Sequence, residues 1–193
     1  KLVPITYGLM WIGSLALAGI PPFSGYFSKD LILESAYAAD TAIGGYAFWL
    51  GVTVASLTAF YSWRLLFMTF HGASRADEKV MAHIHEAPKI MTWPLYVLAI
   101  GAIGVGYLAY GITDLSSGFW GQTITVLSSH PSLGHTDHVP FWVKVLPVGM
   151  ALGGILLAYL MYIRFPRIPA MIAKRSGGLY KFLLNKWYFD EFY

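Results

Sequence analysis

The sequence contains no cysteine, which excludes disulfides, thiolate metal sites and cysteine-bound iron–sulfur clusters. Charged residues are scarce as well: they make up 12% of the chain, compared with about 25% in soluble domains. No period-2 alternation recurs, and the apolar runs are too long for barrel strands. With 56% hydrophobic residues and a mean hydropathy of +0.56, the composition predicts an integral membrane protein built from helices.

Other common classes of site are also missing. The sequence has no nucleotide-binding, flavin-binding or nucleophile-elbow motif. Two histidine-containing stretches, 83–86 and 130–138, lack the regular spacing of metal ligands, and we predict no metal site there. The net charge of +3 is modest, and the basic residues lie beside apolar runs. This pattern is typical of orientation signals and lipid contacts and does not indicate nucleic-acid binding.

Four apolar stretches predict membrane spans, at about 3–39, 46–70, 91–111 and 139–163. The first is too long for one crossing, since a bilayer core needs about 20 helical residues. Pro21, Pro22 and Gly25 divide it into two half-helices, because proline lacks a backbone donor and clashes with the preceding turn. The fold class is therefore an all-α, polytopic membrane bundle with one proline-broken helix.

Residues 166–193, called the tail below, are not expected to cross the membrane. Tyr180, Leu183, Leu184 and Trp187 recur at helical spacing, while Lys181 and Asn185 fall on another face. This spacing predicts an amphipathic helix at the membrane interface.

The distribution of basic residues between the loops predicts the orientation. The 71–89 loop carries Arg75, Lys79 and Lys89, and the tail is basic, whereas the 40–45 turn and the 113–138 loop have no lysine or arginine. By the positive-inside rule, the first two face the cytoplasm or matrix and the last two face the opposite side.

Lys29 lies just after the proline break, between apolar runs, with Asp30 beside it and Glu34 one helical turn beyond Asp30. An ionisable group at the bilayer centre costs about 2.5–3.5 kcal/mol on insertion scales, and broken helices at that depth line cavities or are buried in protein. Desolvation favours the neutral form of a lysine, so Lys29 can exchange a proton near neutral pH. We predict that these three residues translocate protons. The alternative is that Lys29 reaches the interface by snorkelling.

Six hydroxyl-bearing residues are candidates for lining a water-filled path: Ser24 and Ser28 at the break, and Thr53, Thr58, Tyr61 and Ser62 on the second span. A structural role remains open for each of them. Hydroxyls at a break can satisfy freed backbone groups, and hydroxyls on a span can hold neighbouring helices together.

Four stretches, taken in order, resemble the antiporter-like membrane subunits of NADH:quinone oxidoreductase (respiratory complex I), and among them the subunit L or chain 5 family. These stretches are 17–30, 60–72, 85–95 and 185–193. The first motif is shared by several antiporter-like families, whereas the set of four is more specific. The resemblance implies that Lys29 matches the lysine of the second half-channel and that Asp30 matches the acid beside it.

The resemblance also implies a proton-translocating subunit of the membrane arm, in a bacterial or mitochondrial inner membrane. Redox chemistry would then occur elsewhere, so we expect no cofactor on this chain and expect NADH, FMN, iron–sulfur clusters and quinone (such as ubiquinone) on other subunits. The expected partners are the other membrane-arm subunits, especially the adjacent antiporter-like subunit, and membrane lipids.

The expected organisation is a transmembrane antiporter-like domain fragment over 1–165, followed by the tail leading toward a lateral helix. The resemblance implies the C-terminal portion of the subunit, without the first half-channel. Two other functions remain open. The large subunit of a multisubunit Na⁺/H⁺ antiporter would share the broken-helix lysine, and a structural module for assembly of the arm would not need it for transport.

A cysteine placed at Ser129 should react with an impermeant maleimide only from the periplasmic or intermembrane side, because the 113–138 loop lacks basic residues. Labelling of oriented membrane vesicles measures this, and labelling from the opposite side would contradict the predicted orientation.

Overall fold

The structure, a computed structural model, describes residues 2–72, 76–113, 119–121, 123 and 138–193, and the regular elements among them are helices, with no strand. The all-α prediction is therefore confirmed for these residues. In chain order, the α-helices are α1 (Pro4–Ala18), α2 (Ser24–Ala38), α3 (Ala42–Phe70), α4 (Glu78–Ala82), α5 (Lys89–Thr113), α6 (Phe141–Tyr159), α7 (Arg167–Arg175), α8 (Gly177–Leu184) and α9 (Phe189–Phe192).

Helices α1 and α2 are the two halves of the predicted broken helix. Gly19 ends α1 in the left-handed conformation, with φ of 73°, which glycine adopts without a steric penalty. The N–H of Gly19 donates to the Ala16 carbonyl at 3.1 Å, and that of Ile20 donates to the Leu15 carbonyl at 3.2 Å. This pair of bonds is a Schellman ending, which stops α1 before the double proline is reached.

Helix α3 begins earlier than the pattern predicted. Thr41 acts as its N-cap, since the Thr41 hydroxyl accepts a hydrogen bond from Gly44 N–H at 3.0 Å. The predicted 40–45 turn is therefore only a tight corner, and most of it belongs to the helix. With 29 residues and a rise of about 1.5 Å per residue, α3 is about 43 Å long. That length exceeds the hydrocarbon core of about 30 Å.

Helices α3 and α6 pack side by side and hold the core. Phe48 and Val52 on α3 are buried with Val143 on α6 and Leu33 on α2. Trp63, Leu66 and Phe67 form a second buried cluster with Ala158. A third cluster has three buried alanines, Ala18, Ala59 and Ala151, with Ile20 and Ile155 packed against them. Small residues at this level let the helix backbones approach closely, as is common in membrane bundles.

Among the residues that the structure describes, three helices are long and apolar enough to cross a membrane: Ala42–Phe70, Lys89–Ala109 and Phe141–Arg164, the last including a π-helical turn over Leu160–Arg164. Only 11% of the residues in an apolar 18-residue stretch of α5 are buried by the described part of the chain. The rest of this surface is available to lipid or to other protein. Helices α1 and α2 have 15 residues each, and each is therefore shorter than a full span.

The tail forms three short helices instead of the single amphipathic helix that the sequence predicted. Tyr180, Leu183 and Leu184 do lie on α8, but this helix ends at Leu184. Trp187 lies beyond it with a φ of 63°, because three consecutive residues, 186–188, adopt positive φ and turn the chain. The prediction that Trp187 continues the helical spacing of Tyr180, Leu183 and Leu184 is therefore wrong. The interfacial placement of the tail stays a prediction.

Several sequence-based predictions fall outside the described residues. Most of the 113–138 loop does so, including Ser129, His130, His135 and Asp137. In the basic 71–89 loop, Arg75 also lies outside them. The orientation of the protein in the membrane therefore stays a prediction.

Gly154→Ala should weaken the packing of α6 on α3, because a methyl group at this position would collide with the Ser56 carbonyl oxygen and lie 3.2 Å from Phe60 N. Overpacking of this kind costs about 1–3 kcal/mol. The neighbouring Gly153→Ala is the matched control, since nothing lies within 4 Å of its added methyl group.

The measurement is the temperature at which the native membrane protein dissociates or unfolds in detergent. Gly154→Ala should lower this temperature, and Gly153→Ala should leave it unchanged or raise it slightly. Equal effects of the two variants would contradict the close α3–α6 contact.

Candidate functional site

The Lys29 side chain crosses the helix break and reaches the end of α1. Its Nζ donates to the Leu17 carbonyl at 3.2 Å and to the Ala18 carbonyl at 3.4 Å. The last carbonyls of a helix lack donors within the helix, and the negative end of the helix dipole favours a cation there. The lysine stem lies over Gly19, where a Cβ would be 3.3 Å from Lys29 Cδ. The break therefore creates the acceptors for the lysine and the room for it.

Asp30 belongs to a different group of side chains from Lys29. Its carboxyl group is hydrogen-bonded to the side chains of Tyr26 and Glu34, and it interacts electrostatically with Lys144 on α6. Within the described ranges, no ion pair joins it to Lys29. One oxygen, Oδ1, is buried without a hydrogen-bond partner. The two residues are adjacent in the sequence but lie on different sides of α2, because successive residues are about 100° apart on a helix.

Glu34 is the most enclosed of the three predicted site residues. The residue as a whole is 8% exposed, and its Oε1 lies 3.8 Å from Lys144 Nζ. The structure thus brings Asp30, Glu34 and Lys144 together and places Lys29 at the break.

Lys144 is a site residue that the sequence analysis missed. A signal was present: within the apolar run 139–163, Lys144 is the single charged residue. Charges inside a span are rare and usually have partners. Partners of Lys29 were expected close to it in sequence, whereas Lys144 belongs to α6.

The candidate channel-lining residues have varied surroundings. Three of their hydroxyl groups donate to carbonyls of their own helices: Ser28 to Gly25 at 3.4 Å, Thr53 to Trp49 at 2.9 Å and Ser62 to Thr58 at 2.7 Å. Such bonds satisfy a hydroxyl in an apolar region, and each hydroxyl can still accept a hydrogen bond from water. Ser24 lies where α5 approaches α2 at Gly106.

A cavity of about 460 Å³ separates α1, α3 and α5. Tyr61 and Ser62 line it, together with Thr6, Ser14 and a larger number of apolar residues. Of the six predicted lining residues, Ser24, Ser28, Thr53 and Thr58 do not border this cavity. Leu17, whose carbonyl accepts from Lys29, does border it. Channel lining by all six residues stays a prediction.

The opposite end of α1 is held by Glu86 from the 71–89 loop. Its two carboxylate oxygens accept from Ile5 N–H at 3.2 Å and from Thr6 N–H at 3.0 Å. A carboxylate at a helix N-terminus satisfies free amides and complements the helix dipole. In the described part of the chain, no group of three histidine or acidic side chains is placed to hold a metal ion. The contacts of Glu86 described here are with backbone amides at the start of α1.

The fold and this arrangement define a class of protein: a helical membrane protein with a broken helix, a lysine at the break and an ionisable cluster between α2 and α6. Comparison with known families agrees. Residues 1–58 match the family described as NADH:quinone oxidoreductase/Mrp antiporter, transmembrane. This region contains the whole of α1 and α2, with Lys29, Asp30 and Glu34.

Individual relatives extend the similarity to the rest of the chain. The chain is 37% identical to NADH-ubiquinone oxidoreductase chain 5 of Marchantia polymorpha, over 99% of its own length and 29% of the relative. It is 33% identical to NADH-quinone oxidoreductase subunit L of Rhodobacter capsulatus, over 100% of its length and 36% of the relative. It is 36% identical to NADH-quinone oxidoreductase subunit L of Rickettsia bellii, over 99% of its own length and 30% of the relative.

The chain is thus similar over essentially its whole length to proteins named NADH-quinone oxidoreductase subunit L or NADH-ubiquinone oxidoreductase chain 5. This confirms the resemblance of the four sequence stretches. The chain spans about a third of the length of the relatives that it matches.

Proposed function

We propose that this chain forms the second half-channel of a proton-translocating membrane-arm subunit of NADH:quinone oxidoreductase, with Lys29 as the residue that exchanges the proton. The observation that carries the proposal is the position of the Lys29 ammonium group, on the free carbonyls at the end of α1. A lysine needs no such acceptors if it serves only to anchor a helix at the interface, where water solvates it.

The site favours each protonation state of Lys29 by a different physical effect. The two carbonyls and the dipole of α1 stabilise the ammonium form. Apolar surroundings and the loss of bulk water favour the neutral amine. With these effects opposed, a modest change in nearby charge is enough to move the proton. The acid pair Asp30 and Glu34 on α2 is the proposed acceptor group, reached through water in the assembled subunit.

The chain contributes to the enzyme without a redox centre in this proposal. It has no cysteine for cluster ligation, and we assign NADH, FMN, iron–sulfur clusters and quinone to other subunits. The proposed partners are the other subunits of the membrane arm, above all the adjacent antiporter-like subunit, and lipids. The many large apolar residues exposed on α5, such as Ile90, Leu98, Ile100 and Leu108, provide the surface for such contacts.

A second candidate is the large subunit of a multisubunit Na⁺/H⁺ antiporter, because the description of the matching family includes Mrp antiporters. The named relatives favour the first candidate, since they are oxidoreductase subunits. A requirement for sodium ions in transport would favour the second.

Lys29→Ala should reduce proton translocation and the coupled quinone reductase activity by roughly tenfold or more while the complex remains assembled. Lys29→Arg should restore little, because arginine does not lose its proton in proteins. Lys79→Ala is the control, since Lys79 is an exposed lysine in the 71–89 loop.

Dye quenching in membrane vesicles, NADH oxidation and native gels measure translocation, turnover and assembly in the same preparation. Full translocation in the Lys29→Ala complex would contradict the proposal. Loss of assembly in both Lys29 variants would favour the structural role instead.

A further inference from the structure

The geometry points to a second functional lysine: we propose that Lys144 is a positioning residue at the outlet of the proton path, acting through Glu34. This inference rests on the proposed function, because it requires that a proton reaches the acid pair of Asp30 and Glu34. Lys144 is not needed for the Lys29 site itself, since Lys29 Nζ is held by the end of α1.

The solvent exposure of the side chains increases from Glu34 to Lys144, as an outlet of the proton path at Lys144 requires. The Glu34 side chain is 10% exposed, whereas the side chain of its partner Lys144 is 38% exposed. Lys144 lies in the first turns of α6, and Glu34 lies in the second half of α2. The pair therefore joins a buried carboxyl group to the end of the bundle where α2 ends and α6 begins.

Apolar residues enclose the pair on the core side. Leu33 and Val143, the neighbours of Glu34 and Lys144 in sequence, are both buried and pack with Phe48 and Val52 of α3. Trp142 packs edge-on against Tyr37 at 5.4 Å between ring centroids. Among the described residues, the charged and titratable groups that face Glu34 include Asp30 on its own helix, with Tyr26 hydrogen-bonded to Asp30, and Lys144 on α6. Helix α3 contributes apolar side chains to this region.

The cluster places two carboxyl groups beside one ammonium group. A hydrogen bond between the carboxyl groups of Asp30 and Glu34 needs a proton on one of them, since two carboxylates cannot bond to each other without one. With Lys144 positive, a cluster with one proton is neutral overall. When Glu34 then gives its proton to water, leaving a carboxylate and a hydronium ion, the Lys144 ammonium stabilises the carboxylate that remains.

Interface anchoring alone does not account for this arrangement. A snorkelling lysine extends toward water and away from buried groups, whereas Lys144 Nζ approaches a carboxylate oxygen that is largely buried. Removing the cation would leave the largely buried Glu34 carboxylate without the Lys144 ammonium group, which is unfavourable in an apolar region. Glu34 would then retain its proton, and release to the outside would slow.

The test uses the intact complex in native membranes and compares Lys144→Met, Lys144→Arg and the double variant Lys144→Met/Glu34→Gln. Proton translocation per NADH oxidised is measured by dye quenching, and assembly by native gels. Lys174→Met is the control, because Lys174 is an exposed lysine of the tail. Should Lys144→Met fail to assemble, Lys144→Gln takes its place as the variant without charge.

Lys144→Met should lower translocation by roughly threefold or more, and Lys144→Arg should restore most of it, because the role requires only a positive charge. The double variant should be no worse than the more impaired of its two single variants, since both residues act at one step.

Several outcomes would overturn the inference. Normal translocation in Lys144→Met would do so, and if Lys29→Ala were impaired at the same time, the proposed function would still stand. Low proton translocation in an assembled Lys144→Arg complex would mean that the lysine itself must lose a proton. Additive losses in the double variant would separate Lys144 from Glu34, and loss of assembly in both uncharged variants would make its role structural.

Discussion

The structure of the site depends on the interaction between the Lys29 ammonium group and the free carbonyls that end α1. The interaction is possible because Gly19 ends α1 beside Lys29, so that the last carbonyls of α1 have no donor within their own helix. In an apolar medium, each unsatisfied backbone group costs several kcal/mol. A lysine that satisfies two such groups is partly compensated for its own burial. The broken helix and the buried charge are therefore mutually dependent.

The close packing of α3 and α6 determines the other half of the site. Gly154 lets the two backbones meet at Ser56, and Val143 is buried against α3 and α2. Since Lys144 follows Val143 directly, burying Val143 brings the lysine to Glu34. A variant that loosens the α3–α6 contact at Gly154 should therefore also affect the acid pair, although Gly154 is far from Lys144 along α6.

The helical class, the broken helix and the position of Lys29 were predictable from the sequence, because each depends on local chemistry. A glycine followed closely by two prolines, as at 19–22, ends a helix through its own backbone chemistry, and a long apolar run predicts a helix without knowledge of its neighbours. The partnership of Glu34 with Lys144 was not predictable in this way, since the two residues are brought together only by the packing of α2 on α6. The tail was predicted wrongly at Trp187 for a related reason. Spacing alone does not reveal a run of positive φ angles.

Adjacent residues with opposite charge, such as Lys29 and Asp30, suggest an ion pair when read as a sequence, but the helix separates them. Lys29 turns back to α1, whereas Asp30 faces Glu34 of its own helix and Lys144 of α6. If they formed a direct pair, each would hold the other in its charged state, and a proton on Lys29 would be stabilised and not released. Held apart, the Lys29 ammonium group contacts two neutral carbonyl groups among the described residues, and the acid pair contacts Lys144. A separation of this kind lets the charge of Lys29 change without first breaking a salt bridge, which suits the proton exchange proposed for it.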